Sequence, residues 1–440
     1  PTAAEDAATH HILTLSFRGE GGPDAVRRHL QQDFLTRAVD AITLNPKMTG
    51  YVLDPFVESD SAPGIGLLDR QGNALPAAGM LQSVQGPLRP IVHLEQTNLT
   101  LRQESGLQIF MSNWDKDESR AEMQLLIQGP SGQFLWKKQR GIRFLPKHRQ
   151  LVWEGVISAS GKPGTHYLQI DILRQNQPTV TSRYPFYVTA QAGRFEGRIH
   201  IIDRSGRYTE AIRKVAAPGT LLSPIHVIPP LSNALAGYPD NALAQVLAQV
   251  RGGAVALMFS PPVDWDNLAA QADIPELGIP YAFHDDLGRD MALFCPMIHP
   301  AFDGFGGGSQ VLYMLRNLLP RQVYRTVSIE QILTCYAPVR TGAARTWTEY
   351  HAIVVKQLGA GLIACIPMPL LEHLGLDPAA DRLFVNLLSH FSRRSVPPDR
   401  PLPSESRVVE WIRQAAEQRA RFWRFIGPFP NWTGKGIQEV

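Results

Sequence analysis

Gly359-Ala-Gly-Leu-Ile-Ala-Cys-Ile-Pro-Met-Pro-Leu-Leu-Glu-His-Leu-Gly-Leu-Asp-Pro-Ala-Ala-Asp-Arg-Leu-Phe-Val-Asn-Leu-Leu388 is the stretch that decides the fold. Gly361 to Ile366 is an uncharged apolar run, the pattern of a strand buried on both faces. Ala379 to His390 follows as a helix, and the two complete an α/β layer. The last line, Phe425-Ile-Gly-Pro-Phe-Pro-Asn-Trp-Thr-Gly-Lys-Gly436, opens like a further β-module. The chain therefore reads as a string of modules cut at both ends.

Length and composition agree with that reading. A chain of 440 residues with 44% apolar and 8% aromatic content can fill two to four cores. No apolar run of about 18 residues occurs, so no membrane span is expected. Pro1-Thr-Ala-Ala-Glu-Asp has neither the charged nor the apolar part of a signal peptide. A soluble protein, cytoplasmic or periplasmic, is expected, the compartment being undecided. Lys plus Arg number 43 against 40 Asp plus Glu, well mixed along the chain, which argues against a nucleic-acid surface. Cys295, Cys335 and Cys365 stand far apart among apolar residues, as buried thiols do, rather than as a disulfide frame or a metal site.

Four segments follow from the patterning. In residues 1–90 an apolar run (Ile12 to Phe17), a Gly-rich loop (Gly19, Gly21, Gly22), a helix from about Asp24 to Leu44 and a strand from Thr49 to Leu53 form a βα unit of a parallel sheet. In residues 91–190 short alternating runs at Leu107 to Met111, Glu122 to Ile127, Leu151 to Ile157, Tyr167 to Leu173 and Tyr184 to Val188 are parted by Gly129-Pro-Ser-Gly and Gly161-Lys-Pro-Gly. That spacing is the mark of an antiparallel β-sandwich of immunoglobulin type. In residues 197–394 strands at Ile199 to Ile202, Ala254 to Phe259 and Leu362 to Ile366 alternate with helices at Ala242 to Val250 and Ala379 to His390, an open α/β sheet covered on both faces. Residues 395–440 hold a Pro-rich linker, a helix from Ser404 to Arg421 and the start of a further β-sandwich.

In this order the chain resembles the C-terminal part of family 2 glycoside hydrolases, the β-galactosidase and β-glucuronidase type. The phrases that carry the resemblance are Asn45-Pro-Lys-Met-Thr-Gly-Tyr-Val-Leu-Asp-Pro-Phe and Gly66-Leu-Leu-Asp-Arg-Gln-Gly-Asn. The resemblance implies a fold of several parts: the end of a (β/α)8 barrel, an immunoglobulin-like sandwich, and a flavodoxin-like domain similar to class I amidotransferases. Ile298-His-Pro-Ala-Phe-Asp-Gly and Leu371-Glu-His-Leu-Gly also resemble that last module.

The resemblance implies a retaining β-glycosidase, whose two carboxyl groups stand about 5–5.5 Å apart. The strand carrying the acid/base Glu is not in this chain. The strand of the nucleophile resembles Ile12 to Ser16, where the family follows that Ser with Glu, Phe or Tyr, and Gly. Here the residues are Ser16-Phe17-Arg18-Gly19-Glu20, so Phe17 occupies the nucleophile position. Glu20 is the candidate for a displaced nucleophile, its flanking glycines permitting unusual backbone; the plain alternative is an exposed loop acid. Asp54 and Glu58 follow the eighth strand and are candidates to line a sugar site, although Asp54-Pro55 also makes a simple turn. Trp114, beside Asn113 and Asp115, is the candidate for stacking on a sugar, while Trp136 and Trp153 fit a core.

Other motifs resolve to plainer readings. Ser260-Pro-Pro stands where an amidotransferase needs a Cys, and neither Cys365 nor Cys295 resembles an exposed nucleophile, so no glutaminase activity is expected. Gly304-Phe-Gly-Gly-Gly-Ser lacks the Lys-Ser/Thr of a phosphate loop, and His10-His11 has no third ligand at helical or strand spacing. No cofactor and no metal is expected. The partner expected is carbohydrate, with no nucleic acid and no membrane, and a homo-oligomer left open. Two functions stand: a glycoside hydrolase portion inactive by itself, or a non-catalytic carbohydrate-binding or assembly protein whose barrel has degenerated, with Phe17 as its trace.

Overall fold

The structure, a computed structural model, describes residues 23–394 except 46, 49–50, 53–55, 58–65, 115–118, 147, 204, 231–241, 260–280, 284–292, 297–298, 307–309, 321, 325–327, 331 and 342–343. The Ile12 to Phe17 run, Glu20, Asp54, Glu58, Ser260 and everything from 395 onward, including the linker and the Ser404 to Arg421 helix, lie outside the described residues.

Helix α1, Pro23–Leu44, begins with proline at its first position, where no backbone N–H is required. Its apolar residues do not gather on one stripe. Of the strand expected at Thr49 to Leu53, the described Tyr51 and Val52 are not in a strand. The Gly66–Asn73 phrase folds into a turn closed by one carboxylate: Asp69 accepts from the backbone N–H of Gln71 (2.9 Å) and Asn73 (2.7 Å) and from the Asn73 amide (2.8 Å). These bonds to the ionised form hold the Asp69 carboxyl below its ordinary range, the Asn73 side chain contributing most. Helix α2, Pro76–Val84, follows directly.

Eight strands come next: β1 (Leu88–Leu94), β2 (Asn98–Thr100), β3 (Glu104–Asn113), β4 (Ser119–Gln128), β5 (Phe134–Phe144), β6 (His148–Ser158), β7 (Gly164–Leu173) and β8 (Val180–Thr189). They form two sheets, β1-β3-β6 and β2-β8-β7-β4-β5, antiparallel throughout except that β2 runs parallel to β8. Alternate residues enclose one apolar core: Leu107, Ile109 and Met111 from β3 meet Met123, Leu125 and Ile127 from β4, Leu168, Ile170 and Ile172 from β7, and Phe186 and Val188 from β8. Burying each such side chain contributes about 1.5–3 kcal/mol, and core packing supplies what no disulfide provides. Trp153 lies in this core and Trp136 packs against it, as expected of both.

Beyond the sandwich follow β9 (Phe195–Ile201), α3 (Thr209–Val215), β10 (Ala216–Pro218), β11 (Ile225–Ile228), α4 (Ala242–Arg251), β12 (Val255–Met258), β13 (Tyr281–Phe283), β14 (Leu293–Pro296), α5 (Gln310–Leu315), β15 (Gln322–Tyr324), β16 (Leu333–Thr341), β17 (Ala344–His351), β18 (Val354–Leu358), β19 (Gly361–Cys365) and α6 (Pro378–Ser392). The main sheet has the order β10-β9-β11-β12-β19-β18, parallel up to β19, with β18 antiparallel at its edge. On one face Ile199, Val227, Leu257 and Ala364 pack against Leu383, Phe384, Leu387 and Phe391 of α6. The alternating Ala256 and Met258 turn to the other face, where α4 lies on β12 and β19.

Two glycines of the opening stretch permit that arrangement. A Cβ on Gly361 would fall 2.0 Å from the Val250 carbonyl oxygen and 2.1 Å from that of Ala254. Gly359 has φ +63°, where a side chain is strained, and its place would collide with Arg251 backbone. The β18–β19 turn therefore rests directly on the end of α4. A second sheet, β13-β15-β17-β16-β14, wholly antiparallel, was not anticipated from the sequence.

The sandwich and the α/β unit meet at the start of α6. Asp377 caps this helix by accepting from Ala379 N–H at 2.9 Å, and it also accepts from the Asn98 amide at 3.0 Å. The same amide reaches the Met314 carbonyl at 2.9 Å. Arg316 donates to Thr97 Oγ1 at 2.7 Å and lies 3.5 Å from Asp33 of α1. Asp377→Ala removes a cap and takes one acceptor from the buried Asn98 amide, and we expect a loss of about 2–4 kcal/mol. Urea unfolding followed by fluorescence measures it; an unchanged midpoint would show that this joint does not hold the two units.

One histidine pair sets a pH limit on the main sheet. His200 and His226 face each other across β9 and β11 with their Nδ1 atoms 3.1 Å apart. His226 is fully buried, and desolvation, helped by the neighbouring His200, pushes its pKa from 6.5 down to about 3. Above about pH 6.5 both folded and unfolded chains hold a neutral His226, and its contribution to stability is complete. Between that value and about 3 the unfolded chain takes up a proton that the folded chain refuses, so stability falls as pH falls. The slope from this residue is about 1.4 kcal/mol per pH unit. In His226→Leu that part of the slope should vanish from denaturation midpoints taken across pH 6.5 to 4; an identical slope in the variant refutes the assignment.

Candidate functional site

Of the residues singled out in the sequence, Glu20, Asp54 and Glu58 lie outside the described residues, and with them the geometry of any carboxylate pair at a barrel rim. Trp114 is described. It follows the last residue of β3, and its side chain is 59% exposed. Its backbone N–H donates to the Pro87 carbonyl at 2.7 Å, which fixes the chain on which the indole stands.

The surroundings of Trp114 follow from sheet register. Arg89 of β1, Ser112 of β3 and Arg149 of β6 stand opposite one another in a row across the three-stranded sheet, on the face away from the core, and Trp114 is two residues beyond Ser112 on that face. Helix α1 covers one end of the row. Asp40 forms a buried ion pair with Arg89, whose other guanidinium nitrogen donates to the Val84 carbonyl at 2.7 Å. Between the helical segment and the sheet a cavity of about 280 Å³ remains, and Met48, Tyr51, Gln85, Arg149 and Trp114 line it. The Gln85 amide donates to the Tyr51 hydroxyl at 2.6 Å and holds that ring at the wall. An exposed indole, a tethered tyrosine and planar polar groups are the parts from which sugar-stacking sites are built. Trp114 was legible in the sequence as a tryptophan in a polar turn; Tyr51 and Arg149 were not.

A second cluster has the composition of a metal site. The ligand atoms of His299, Glu330 and His390 lie within 4.8 Å of one another. Glu330 Oε1 stands 2.9 Å from His299 Nε2 and 2.8 Å from His390 Nε2, and Glu330 Oε2 stands 3.2 Å from Arg394. His299 Nδ1, however, accepts the backbone N–H of Ala301 at 3.0 Å. That bond places the ring proton on Nε2, the nitrogen a metal would need bare, whereas a metal-bound histidine donates from its second nitrogen. Arg394 adds a positive charge beside the carboxylate. The residues do not fit a metal; they form a clasp in which Glu330 accepts from His299 and lies at ion-pair distance from His390 on α6 and Arg394 just beyond its end. Burial lowers the His390 pKa, the Glu330 carboxylate opposing that effect and His299 and Arg394 adding to it.

The remaining motifs are structural where they are described. Gly304 has φ +85° and its carbonyl accepts from Ala190 N–H at 2.8 Å, so this loop docks on the sandwich end. Cys335 and Cys365 are buried free thiols whose pKa values burial pushes up, that of Cys365 to about 12. Neither is a ready nucleophile. Cys295 lies in β14. Among the described residues no helix is long and apolar enough to cross a membrane.

No family model and no curated protein sequence matches the chain. Several solved structures match small parts of the chain. The C-terminal domain of wzt is 14% identical at TM-score 0.20, covering 24% of this chain and 75% of that one. A mutant of Bacteroides uniformis β-glucuronidase 2 is 13% identical at TM-score 0.18, over 39% of this chain and 23% of its own. A β-glucosidase from Erythrobacter marinus is 13% identical at TM-score 0.18, over 23% of this chain and 15% of its own. Similarity this low leaves the functional argument to the residues themselves.

The tautomer at His299 makes a prediction. Excess zinc should leave the thermal midpoint unchanged, while Glu330→Gln should cost about 1–3 kcal/mol by unpairing buried donors. A saturable rise of the midpoint with zinc, lost in Glu330→Gln, would sink the clasp in favour of a metal.

Proposed function

We propose that this chain is the C-terminal portion of a glycoside hydrolase acting on β-linked sugars, with a carbohydrate contact at the Trp114 cleft. The observation that carries the reading is the exposed indole of Trp114 beside Tyr51, Gln85 and Arg149, in a cleft bounded by the segment that resembles the end of a barrel. The succession of α1, the Asp69 turn, α2 and then β1 supports residues 1–90 as that barrel end, since the family phrase Gly66–Asn73 stands directly before α2. The sheet pair β1-β3-β6 and β2-β8-β7-β4-β5 supports an immunoglobulin-like sandwich for 91–190. The parallel strands of the main sheet, in chain order 2-1-3-4-5, support a flavodoxin-like unit for 197–394, the architecture expected of an amidotransferase-like module. The buried thiols of Cys335 and Cys365 support a module without glutaminase chemistry.

The second reading is a non-catalytic carbohydrate-binding protein, favoured by Phe17 at the position where the family has its nucleophile. Hydrolysis of aryl β-glycosides by the full-length protein separates the two. On the hydrolase reading with Glu20 as displaced nucleophile, Glu20→Gln lowers kcat on the order of 10³-fold or more. Unaltered turnover in that variant removes Glu20, and a full-length protein without turnover that still binds sugar favours the second reading.

A further inference from the structure

The two arginines of the row beside Trp114 have different fates. Arg89 is 4% exposed and spent: Asp40 pairs with its charge and the Val84 carbonyl takes another N–H. Arg149 is half-buried and has neither a hydrogen bond nor an ion pair among the described residues. The described residues that line the cavity include these two arginines and no carboxylate. Among the described residues the cavity wall therefore carries one positive charge without a partner, on the same sheet face as an exposed indole.

That placement depends on one irregularity of the strands. Ile109 of β3 stands opposite Trp153 of β6, but Phe110 stands opposite Leu151, so Val152 is an extra residue in β6. In an unbroken register Ser112 would face Gln150, and Arg149 would alternate onto the core side. The bulge reverses the alternation. It leaves Trp153 in the core, 4% exposed, and turns Arg149 out beside Ser112 and Trp114. Bulges commonly re-aim a side chain in this way next to functional sites.

Resting on the reading of the cleft as a sugar contact, we propose that it takes a sugar ring bearing an anionic group, the ring stacked on Trp114 and the anion held by Arg149. A guanidinium offers two parallel N–H donors to a carboxylate or a sulfate, which the hydroxymethyl of a neutral hexose cannot exploit with charge. The cavity, about 280 Å³, stands at the small end of ligand sites and suits one ring rather than an extended chain.

Methyl β-D-glucuronide and methyl β-D-glucoside differ only in carrying a carboxylate or a hydroxymethyl on C5, so they isolate the anion. Each is titrated into the intact protein at low salt and followed by ligand-observed NMR, with glucose 6-sulfate as the arm that distinguishes sulfate from carboxylate. The glucuronide should bind about fivefold more tightly than the glucoside, a preference that shrinks as salt is raised. Arg149→Gln should bring the glucuronide down to the level of the glucoside while leaving the latter unchanged, Arg149→Lys should retain much of the preference, and Trp114→Ala should weaken both. Glucose 6-sulfate bound more tightly than the glucuronide assigns the anion as sulfate and keeps the proposal. Equal binding of glucuronide and glucoside, or a preference that survives Arg149→Gln, overturns the anionic ligand but leaves the sugar contact standing. Binding of none of the three sugars overturns the contact and the proposal together.

Discussion

The carboxylate of Asp377 is the point on which the described part of the molecule turns. Placing a charge where it is 8% exposed is costly, and burial raises the pKa of Asp377 accordingly. The structure offsets the cost with the Ala379 N–H of the helix it starts and the amide of Asn98, which belongs to the sandwich. One side chain thus begins the helix that covers the main sheet and fastens it to the neighbouring unit. Arg316 extends the joint to Thr97 and to Asp33 on α1, so three parts that each have their own contacts share one polar hub. Tyr187, the partner of Asn98 across β2 and β8, lies under Arg316 and stacks on Tyr313 with ring centres 5.9 Å apart.

A second hydrogen bond decides chemistry rather than architecture. At His299 the question of metal or no metal is settled by which ring nitrogen is bare, and the Ala301 N–H answers it. Counting two histidines and a glutamate would have given a metal site; following the proton gives a clasp. The same logic separates the two arginines of the cleft. They are the same residue type on the same row, and the carboxylate of Asp40 makes one of them part of the structure while the other remains able to meet a ligand.

The sequence showed what depends on local alternation. The strands at Leu107, Glu122, Leu151, Tyr167 and Tyr184 fall inside β3, β4, β6, β7 and β8, and the helices expected from Ala242 and Ala379 are α4 and α6. What it concealed depends on pairing between distant segments. The sheet β13-β15-β17-β16-β14 draws its short edge strands from three- and four-residue runs, too brief to show a period, and only β16 and β17 are long. The parallel partner of β2 is a strand some ninety residues later, so no local signal distinguishes it from an antiparallel neighbour. For the site, Trp114 was visible because a large aromatic among polar turn residues is conspicuous by itself. Arg149 was not, because its side depends on an extra residue, Val152, whose effect exists only once β3 and β6 are in register.

That dependence bears on how such a cleft could arise. A strand with strict alternation commits every second residue to the core, so a charge cannot be moved to the outer face without exchanging an apolar residue for it, a change that costs core packing. Inserting one residue instead shifts everything beyond it by a face at the cost of one irregular pair in the ladder. In β6 the shift begins after Trp153, whose ring stays in the core with Lys138 5.3 Å above it, and it is complete by Leu151. The core keeps its largest side chain and the outer face gains a guanidinium. Because the two faces are coupled only through this step, substitutions on the Arg149 side can retune the cleft without disturbing the packing that holds the sandwich together.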